Sequence, residues 1–175
     1  LIHASAHEGM KLGRAACVAV THNDPQAFED AIIGWRHGGG TGRPWIAVES
    51  LYSMDGDRAP LGALADIAAR HEAFLLIDEA HATGVFGLDG RGLAAHLEGR
   101  ADVITLRTCG KALGCEGALV FGPRVVRDFL INRRRAFIFS TAASPSLAAG
   151  VRAPLRLCRA AHAVRRLSEP RGQHR

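Results

Sequence analysis

The chain has 175 residues, of which 47% are hydrophobic and 22% are charged, and its formal net charge is +5 at pH 7. These proportions are typical of a folded globular domain and argue against intrinsic disorder. The arginines are scattered except for the run 133–135 and the segment after Arg165, so the charge favours a solvated surface or an anionic substrate over a nucleic-acid partner.

Two further features of the sequence bear on where the protein lies in the cell and on whether its cysteines bind a metal. No apolar run reaches the roughly 18 to 20 residues that span a bilayer, and no signal peptide is visible, so we expect a cytoplasmic protein without a membrane partner. The four cysteines form no CxxC pair and lack the spacing of zinc ligands. This pattern predicts reduced thiols and no metal site.

Short apolar runs alternate with longer segments of helical periodicity, which predicts an α/β fold with a mostly parallel sheet flanked by helices. The predicted strands are 16–20, 44–50, 73–78, 102–107, 117–122 and 136–141. The predicted helices are 24–35, which begins with Asp24 as N-cap and Pro25, then 60–71, 123–135, and a long one over 144–167 with a kink at Pro154. The strand at 73–78 is too apolar to alternate, so we expect it to be covered on both faces.

In such a sheet, ligands lie beyond the carboxyl ends of the strands. Polar residues follow four of the predicted strands there, namely Ser53, the stretch 78–81, the stretch 108–111, and Ser140 with Thr141. These positions are the candidate site residues.

Lys111, in the stretch TCGKALG, is one of only two lysines in a chain that has 20 arginines. Arginine stays protonated at any useful pH, whereas lysine becomes a neutral amine where its surroundings favour it. A position that keeps lysine in such a chain is a candidate for amine chemistry. An ordinary surface lysine is the alternative, because base composition alone can produce a high arginine content.

Two short motifs suggest other enzyme classes but lack their partner motifs. DEAH at 78–81 matches the magnesium-binding motif of helicases, yet the only GK pair, at 110–111, is followed by Ala112 instead of Ser or Thr. HGGG at 37–40 is similar to an esterase oxyanion loop, but the chain contains no GxSxG. We interpret 37–40 as a flexible glycine-rich loop and disfavour both classes.

The residues around Asp78 and Lys111 match the requirements of pyridoxal phosphate. An ionised Asp at the end of a buried strand needs a positive partner, and a protonated ring nitrogen is one. Two opposite charges 4 Å apart at an effective dielectric near 20 attract by roughly 4 kcal/mol, or about three pKa units. Lys111 would form a Schiff base with the aldehyde, while His81 would reach the ring hydroxyl and Thr108 the phosphate. The alternative for Asp78 and His81 is a helix cap and a core histidine.

Six stretches, in order, carry a family resemblance: HASAHEGMKLGRA, HND, VESLYSMDGDRAPL, LLIDEAHATGVFGLDGRGL, TLRTCGKALGCEGALVFG and FIFSTAASP. Together they resemble the α-oxoamine synthases, which are pyridoxal-phosphate enzymes of the aspartate-aminotransferase fold. The resemblance extends to about residue 165. It implies that 1–143 is part of the cofactor-binding major domain of a fold-type I enzyme, that 144–167 leads toward a C-terminal small domain, and that 168–175 is an atypical tail.

The resemblance also implies residue roles. His3 matches the histidine that stacks on the cofactor ring, and Lys111 matches the lysine that bonds its aldehyde, so these two are the expected catalytic residues. The expected cofactor-binding residues are Ser53, Asp78, His81, Thr108, Lys111, Ser140 and Thr141. The last two match a segment that approaches the neighbouring subunit's phosphate in a homodimer.

The implied reaction is the decarboxylative condensation of an amino acid with an acyl thioester of coenzyme A or of an acyl carrier protein. TCGKALG and LYSMDGDRAPL look most like the branch of the family that joins L-alanine to pimeloyl thioester in biotin synthesis. The glycine-using branches, 5-aminolevulinate synthase and 2-amino-3-ketobutyrate CoA ligase, stay open as alternatives.

An inactive fragment of such an enzyme is a further alternative, since members of this family are considerably longer than 175 residues. Glu116 stands beside the TCGKALG turn where the family usually has a small residue. We expect that side chain to disturb the cofactor pocket.

Overall fold

The structure, a computed structural model, describes residues 2–13 and 15–168. One sheet contains, in chain order, the strands β1 (Trp45–Glu49), β2 (Phe74–Asp78), β3 (Val103–Thr108) and β4 (Ala118–Phe121). β1 pairs with β2 and β2 with β3 in parallel, whereas β4 runs antiparallel to β3. The predicted α/β fold with a mostly parallel sheet is confirmed, and these four strands end within one residue of their predicted bounds.

The α-helices of the described residues are α1 (Ala4–Gly13), α2 (Pro25–His37), α3 (Leu61–Arg70), α4 (Arg124–Arg133), α5 (Arg135–Ile138) and α6 (Pro145–Ser168). The predicted start of α2 is confirmed, because the Asp24 carboxylate accepts the amides of Gln26 at 3.0 Å and Ala27 at 3.3 Å. α6 contains Pro154, and α1 has no counterpart among the predicted elements. No helix in this part of the chain is long and apolar enough to cross a membrane. Of the predicted tail, only Ser168 is among the described residues.

The core lies between the sheet and α3. Leu64 of α3 and Leu75 and Ile77 of β2 are completely buried, and no residue of β2 is exposed. Each buried Leu or Ile side chain contributes roughly 1.5–3 kcal/mol to folding. This packing holds the carboxyl ends of β1 and β2 side by side, and the candidate site residues follow those ends.

Two of the predicted strands are wrong. Residues 16–20 form no strand and pair with none of the described strands, and a lone strand lacks the hydrogen-bonding neighbour that stabilises it. The segment 136–141 begins instead as the short helix α5, because the amides of Phe137 and Ile138 both donate to the Arg134 carbonyl at 3.0 Å. Local hydrogen bonds therefore replace the expected ladder.

Large apolar side chains are exposed on the antiparallel edge strand and on the helices that follow it. β4 is exposed along its whole length. The large apolar side chains that are exposed on β4, α4, α5 and the described part of α6 are Leu119, Val120, Phe121, Val125, Phe129, Ile131, Phe137, Ile138, Leu155 and Leu157. Exposed apolar surface of this extent is typical of regions that pack against other protein.

Candidate active site

A cavity of about 220 Å³ lies at the carboxyl end of the parallel strands. Its lining includes five of the eight predicted site residues. The lining residues are His3, Ser5, Glu49, Asp78, Ala80, His81, Leu106, Thr108, Lys111 and Ala118.

The parallel register explains why residues distant in sequence meet at this cavity. Asp78, the last residue of β2, lies opposite Glu49 of β1 on one side and Leu106 of β3 on the other. Thr108 ends β3, and Lys111 follows on an exposed turn that the Gly114 amide closes by donating to the Lys111 carbonyl at 2.9 Å. The three strand ends thus bring two carboxylates, a hydroxyl and an amine to one edge of the sheet.

Asp78 and Thr108 each use one oxygen to shape the turn that follows its strand. Asp78 Oδ1 accepts the Ala80 amide at 2.8 Å, which leaves Oδ2 available to a cation in the cavity. Thr108 Oγ1 accepts the Gly110 amide at 3.2 Å. A hydroxyl that accepts one hydrogen bond keeps its own proton for donation, so Thr108 remains a donor for an anion.

His3 reaches the cavity from the amino end of α1, together with Ser5. The His3 Nδ1 atom lies 2.8 Å from Ser5 Oγ and accepts the Ser5 amide at 3.3 Å. These contacts fix Nδ1 and leave the ring face and Nε2 free to meet a ligand.

Three predicted site residues do not line this cavity. Ser53 is exposed on the turn after β1, where its amide donates to Glu49 Oε2 at 3.0 Å. Ser140 and Thr141 are exposed after α5, and their predicted contact belongs to a neighbouring subunit, so all three stay predictions. Glu116 is exposed and is not among the lining residues, and its expected effect on the pocket also stays a prediction.

Glu49 is a lining residue that the sequence interpretation missed. It is only 3% exposed and ends β1 in the same way that Asp78 ends β2. The signal was present in the sequence, since a carboxylate at the carboxyl end of an apolar strand occurs at both positions. The sequence prediction named only a polar residue that follows β1, Ser53, and so it left out Glu49, the last residue of the strand.

Glu79, the second residue of DEAH, is completely buried but lies outside the cavity lining. Burial raises the pKa of this carboxyl, while the Ser50 hydroxyl, the Ala94 amide and the charge of Arg107 lower it. The Ala94 amide donates to Glu79 Oε1 at 2.9 Å. The Gly92 backbone lies so close to Glu79 that a Cβ on Gly92 would be 1.5 Å from Oε2, and Gly92 has a φ of +86°. Glu79 therefore anchors the 84–94 loop beside the Asp78–His81 turn, which is a structural role.

A second polar cluster joins the HND stretch to the turn after β1. His22 Nε2 lies 2.9 Å from Asp57 Oδ2, and one potential metal-ligand atom from each of His22, Asp55 and Asp57 lies within 4.8 Å of the others. The His22 ring meets the Tyr52 ring edge-on at 4.3 Å. Burial, together with the charges of Asp57 and Glu49, raises the pKa of Tyr52 to about 12. This cluster fixes the turn that carries Ser53.

The family model for aminotransferase class I and II matches residues 1–170. The chain belongs to the aminotransferase class I and II family. This match confirms the family resemblance of the six ordered stretches. It does not distinguish among the reactions that members of the family catalyse.

Two curated relatives of this aminotransferase-family chain are 8-amino-7-oxononanoate synthases. The protein from Geobacter sulfurreducens is 45% identical over 158 residues, and that from Chromobacterium violaceum is 46% identical over 159 residues. Each alignment covers 90% of this chain and 40% of the relative. The chain thus spans about two fifths of the length of these relatives.

Solved structures of the family share the fold. The serine palmitoyltransferase of Sphingomonas wittichii has a TM-score of 0.77 at 30% identity, and the match covers 89% of this chain and 39% of that one. A serine palmitoyltransferase described with a PLP internal aldimine also scores 0.77, at 29% identity, with 91% and 40% covered. The 8-amino-7-oxononanoate synthase of Francisella tularensis scores 0.73 at 28% identity, with 90% and 44% covered.

Proposed function

We propose that this chain is the cofactor-binding part of a pyridoxal-phosphate-dependent acyltransferase that condenses L-alanine with a pimeloyl thioester to give 8-amino-7-oxononanoate. The observation that carries the proposal is that Asp78 and Lys111 line one cavity with His3, His81 and Thr108. Relatives at 45% and 46% identity that bear the name 8-amino-7-oxononanoate synthase support the choice of reaction.

The groups at the cavity fit pyridoxal phosphate. A carboxylate, an imidazole, a hydroxyl donor and an amine correspond to the ring nitrogen, the ring hydroxyl, the phosphate and the aldehyde of this cofactor. The volume of 220 Å³ is below the roughly 300–1,000 Å³ of complete ligand pockets, so the described residues form one side of the site. When bound, the cofactor would supply an electron sink for the carbanion that forms at the amino acid.

Asp78 has the task of holding a proton on the ring nitrogen. Asp78 lines the cavity, its Oδ1 is held by the Ala80 amide, and β2 fixes its position. An ionised carboxylate close to a ring nitrogen favours the protonated ring by about three pKa units at an effective dielectric near 20. A ring that stays protonated withdraws electrons more strongly from the reacting carbon.

Lys111 would hold the cofactor through its aldehyde, and its amine would also be the base that moves the proton from the α-carbon of the amino acid. Its place on the turn after β3 lets the amine swing between these tasks without moving the strand. His3 would stack on the ring from α1, and His81 would bond the ring hydroxyl.

The partners follow from the same reaction. The second substrate would be a thioester of coenzyme A or of an acyl carrier protein, and the protein would work as a homodimer. Ser140 and Thr141 would then approach the phosphate in the partner subunit.

A sister reaction with another amino acid is the second candidate. The observation in its favour is that serine palmitoyltransferases match this fold at a TM-score of 0.77, as well as the 8-amino-7-oxononanoate synthase at 0.73. The fold is therefore also compatible with glycine or serine as the amino acid substrate. An inactive segment that only binds the cofactor is a further alternative.

The test is to load the protein with pyridoxal phosphate and supply pimeloyl-CoA with L-alanine, glycine or L-serine in parallel. We expect 8-amino-7-oxononanoate, identified by mass spectrometry, from alanine only. Turnover of glycine or serine instead identifies the sister reaction, and cofactor binding without any product identifies an inactive segment. Failure to bind pyridoxal phosphate at all contradicts the proposal.

A further inference from the structure

We propose that Glu49 is a second acidic residue of the cofactor site, which positions Ser53 and supplies negative charge to the cavity beside Asp78. This inference rests on the proposed cofactor chemistry and extends it to a residue outside the motifs. The starting observation is that Glu49 is only 3% exposed and yet lines the same cavity as Lys111.

The hydrogen bonds of Glu49 leave much of its charge uncompensated. Oε2 accepts the Ser53 amide at 3.0 Å, and within residues 2–13 and 15–168 no ion pair involves Glu49. A buried carboxylate that meets one neutral N–H is poorly compensated for the loss of water. Glu29 and Glu98 differ in this respect, since Glu29 pairs with Arg70 and has His71 Nε2 at 2.8 Å, while Glu98 pairs with both Arg91 and Arg107.

The charge of Glu49 therefore acts on whatever occupies the cavity. The other titratable groups facing it are His3 from α1, Asp78 and His81 from the end of β2, and Lys111 from the turn after β3. Since Asp78 is assigned to the ring nitrogen, the nitrogen that would join Lys111 to the cofactor is the cationic centre that Glu49 would stabilise. A negative charge a few ångströms away favours the protonated form of such a nitrogen by about one pKa unit or more at an effective dielectric of about 20–40.

The positioning of Ser53 depends on the same side chain. Because the Ser53 amide donates to Oε2, the length of the Glu49 side chain sets where the turn after β1 begins. A glutamine at this position keeps both the length and an acceptor oxygen, so Glu49→Gln removes the charge and leaves the Ser53 contact in place.

The experiment titrates the visible absorption band of pyridoxal phosphate bound to Lys111, in the protein and in Glu49→Gln, without any substrate. We expect the pH midpoint of the band to fall by about one unit in Glu49→Gln, because loss of the negative charge destabilises the protonated nitrogen. The thermal unfolding midpoint of the unloaded protein should change little. A residue with a purely structural role would leave the band's midpoint where it was.

The control is Glu29→Gln, which removes a carboxylate of α2 that pairs with Arg70 and His71 away from the cavity. Its midpoint should equal that of the unaltered protein. If Glu49→Gln fails to fold, Glu49→Met has a similar length, introduces no polar atoms, and should produce the same downward shift. A midpoint in the Glu49 variants that equals the Glu29→Gln value overturns the inference, whereas a missing band in the unaltered protein overturns the proposed function instead.

Discussion

Asp78 and Lys111 line the same cavity although their positions in the sequence are 33 residues apart. Parallel pairing is the cause, because β2 and β3 end at one edge of the sheet with Asp78 opposite Leu106, and Lys111 follows on the next turn. A single small molecule with a cationic nitrogen at one end and an aldehyde at the other can therefore meet both side chains.

Replacement of Lys111 by arginine should abolish covalent attachment of the cofactor. Arginine keeps the positive charge but does not become a neutral amine at accessible pH, so it cannot bond the aldehyde. The measurement is the mass of the protein after treatment with pyridoxal phosphate and borohydride. Lys11→Arg is the matched control, since Lys11 is the other lysine and lies on α1 paired with Glu8. Equal labelling of Lys111→Arg and Lys11→Arg would show that the assignment is wrong.

Asp78→Asn should lower kcat by about 100- to 1,000-fold while the fold is retained. Asparagine keeps an oxygen for the Ala80 amide but loses the charge that we assign to the protonated ring nitrogen. Steady-state kinetics with saturating cofactor provide the measurement. Asp66→Asn, on the exposed face of α3, is the control and should keep the unaltered rate. A normal rate in Asp78→Asn would exclude an electrostatic role for this carboxylate.

Gly92→Ala should destabilise the fold by about 3 kcal/mol or more. A Cβ at this position would lie 1.5 Å from Glu79 Oε2, and the backbone has a φ of +86°. Gly99 has a similar φ of +89° with no atom within 4 Å of a Cβ, so Gly99→Ala isolates the backbone strain, about 1–2 kcal/mol. The free energy of unfolding in urea should therefore fall further in Gly92→Ala than in Gly99→Ala. Equal losses would mean that Glu79 moves aside without cost.

The stability of the protein should decrease at alkaline pH because of Tyr52. Burial raises the pKa of Tyr52 to about 12 from 10.0, so between these values the native state holds a proton that the unfolded state has released. The free energy of unfolding is therefore unaffected by this group below pH 10 and falls by roughly 2 to 3 kcal/mol as the pH rises through 12. Tyr52 is the chain's only tyrosine, so the phenolate absorbance reports it directly.

The comparison for this prediction is Tyr52→Phe, which keeps the ring and removes the titrating hydroxyl. Between pH 10 and 12 the free energy of unfolding of Tyr52→Phe should decrease by less than that of the unaltered protein. Phenolate absorbance that appears with a midpoint near 10 in the folded protein would contradict the predicted burial effect.

Local signals in the sequence were sufficient for the strands that form and for the start of α2. β1 to β4 are short apolar runs bounded by turn residues, and the Asp24 cap is a feature of four consecutive residues. The runs 16–20 and 136–141 are also short and apolar, but a strand also requires a neighbouring edge. Composition carries no information about that edge, so the difference between these runs and the four real strands was not predictable.

The candidate site was partly predictable for a similar reason. Asp78, His81, Thr108 and Lys111 follow strand ends, and the parallel register brings strand ends together whatever the intervening sequence is. Glu49 was not predicted, because it is the last residue of a strand and its place at the cavity depends on the burial and the Ser53 contact that only the folded register creates.

The strands of this sheet lie side by side in the order in which they occur along the chain. The parallel neighbours are nevertheless distant along the chain, since the paired residues Trp45 and Phe74 are 29 positions apart and Leu75 and Val103 are 28 apart. Each crossover must close before the strand ends can form the cavity, and this requirement slows folding. His3 and Ser5 are more distant still among the lining residues, since 44 positions separate Ser5 from Glu49. They precede the sheet in the chain and can complete the cavity only after the sheet has formed.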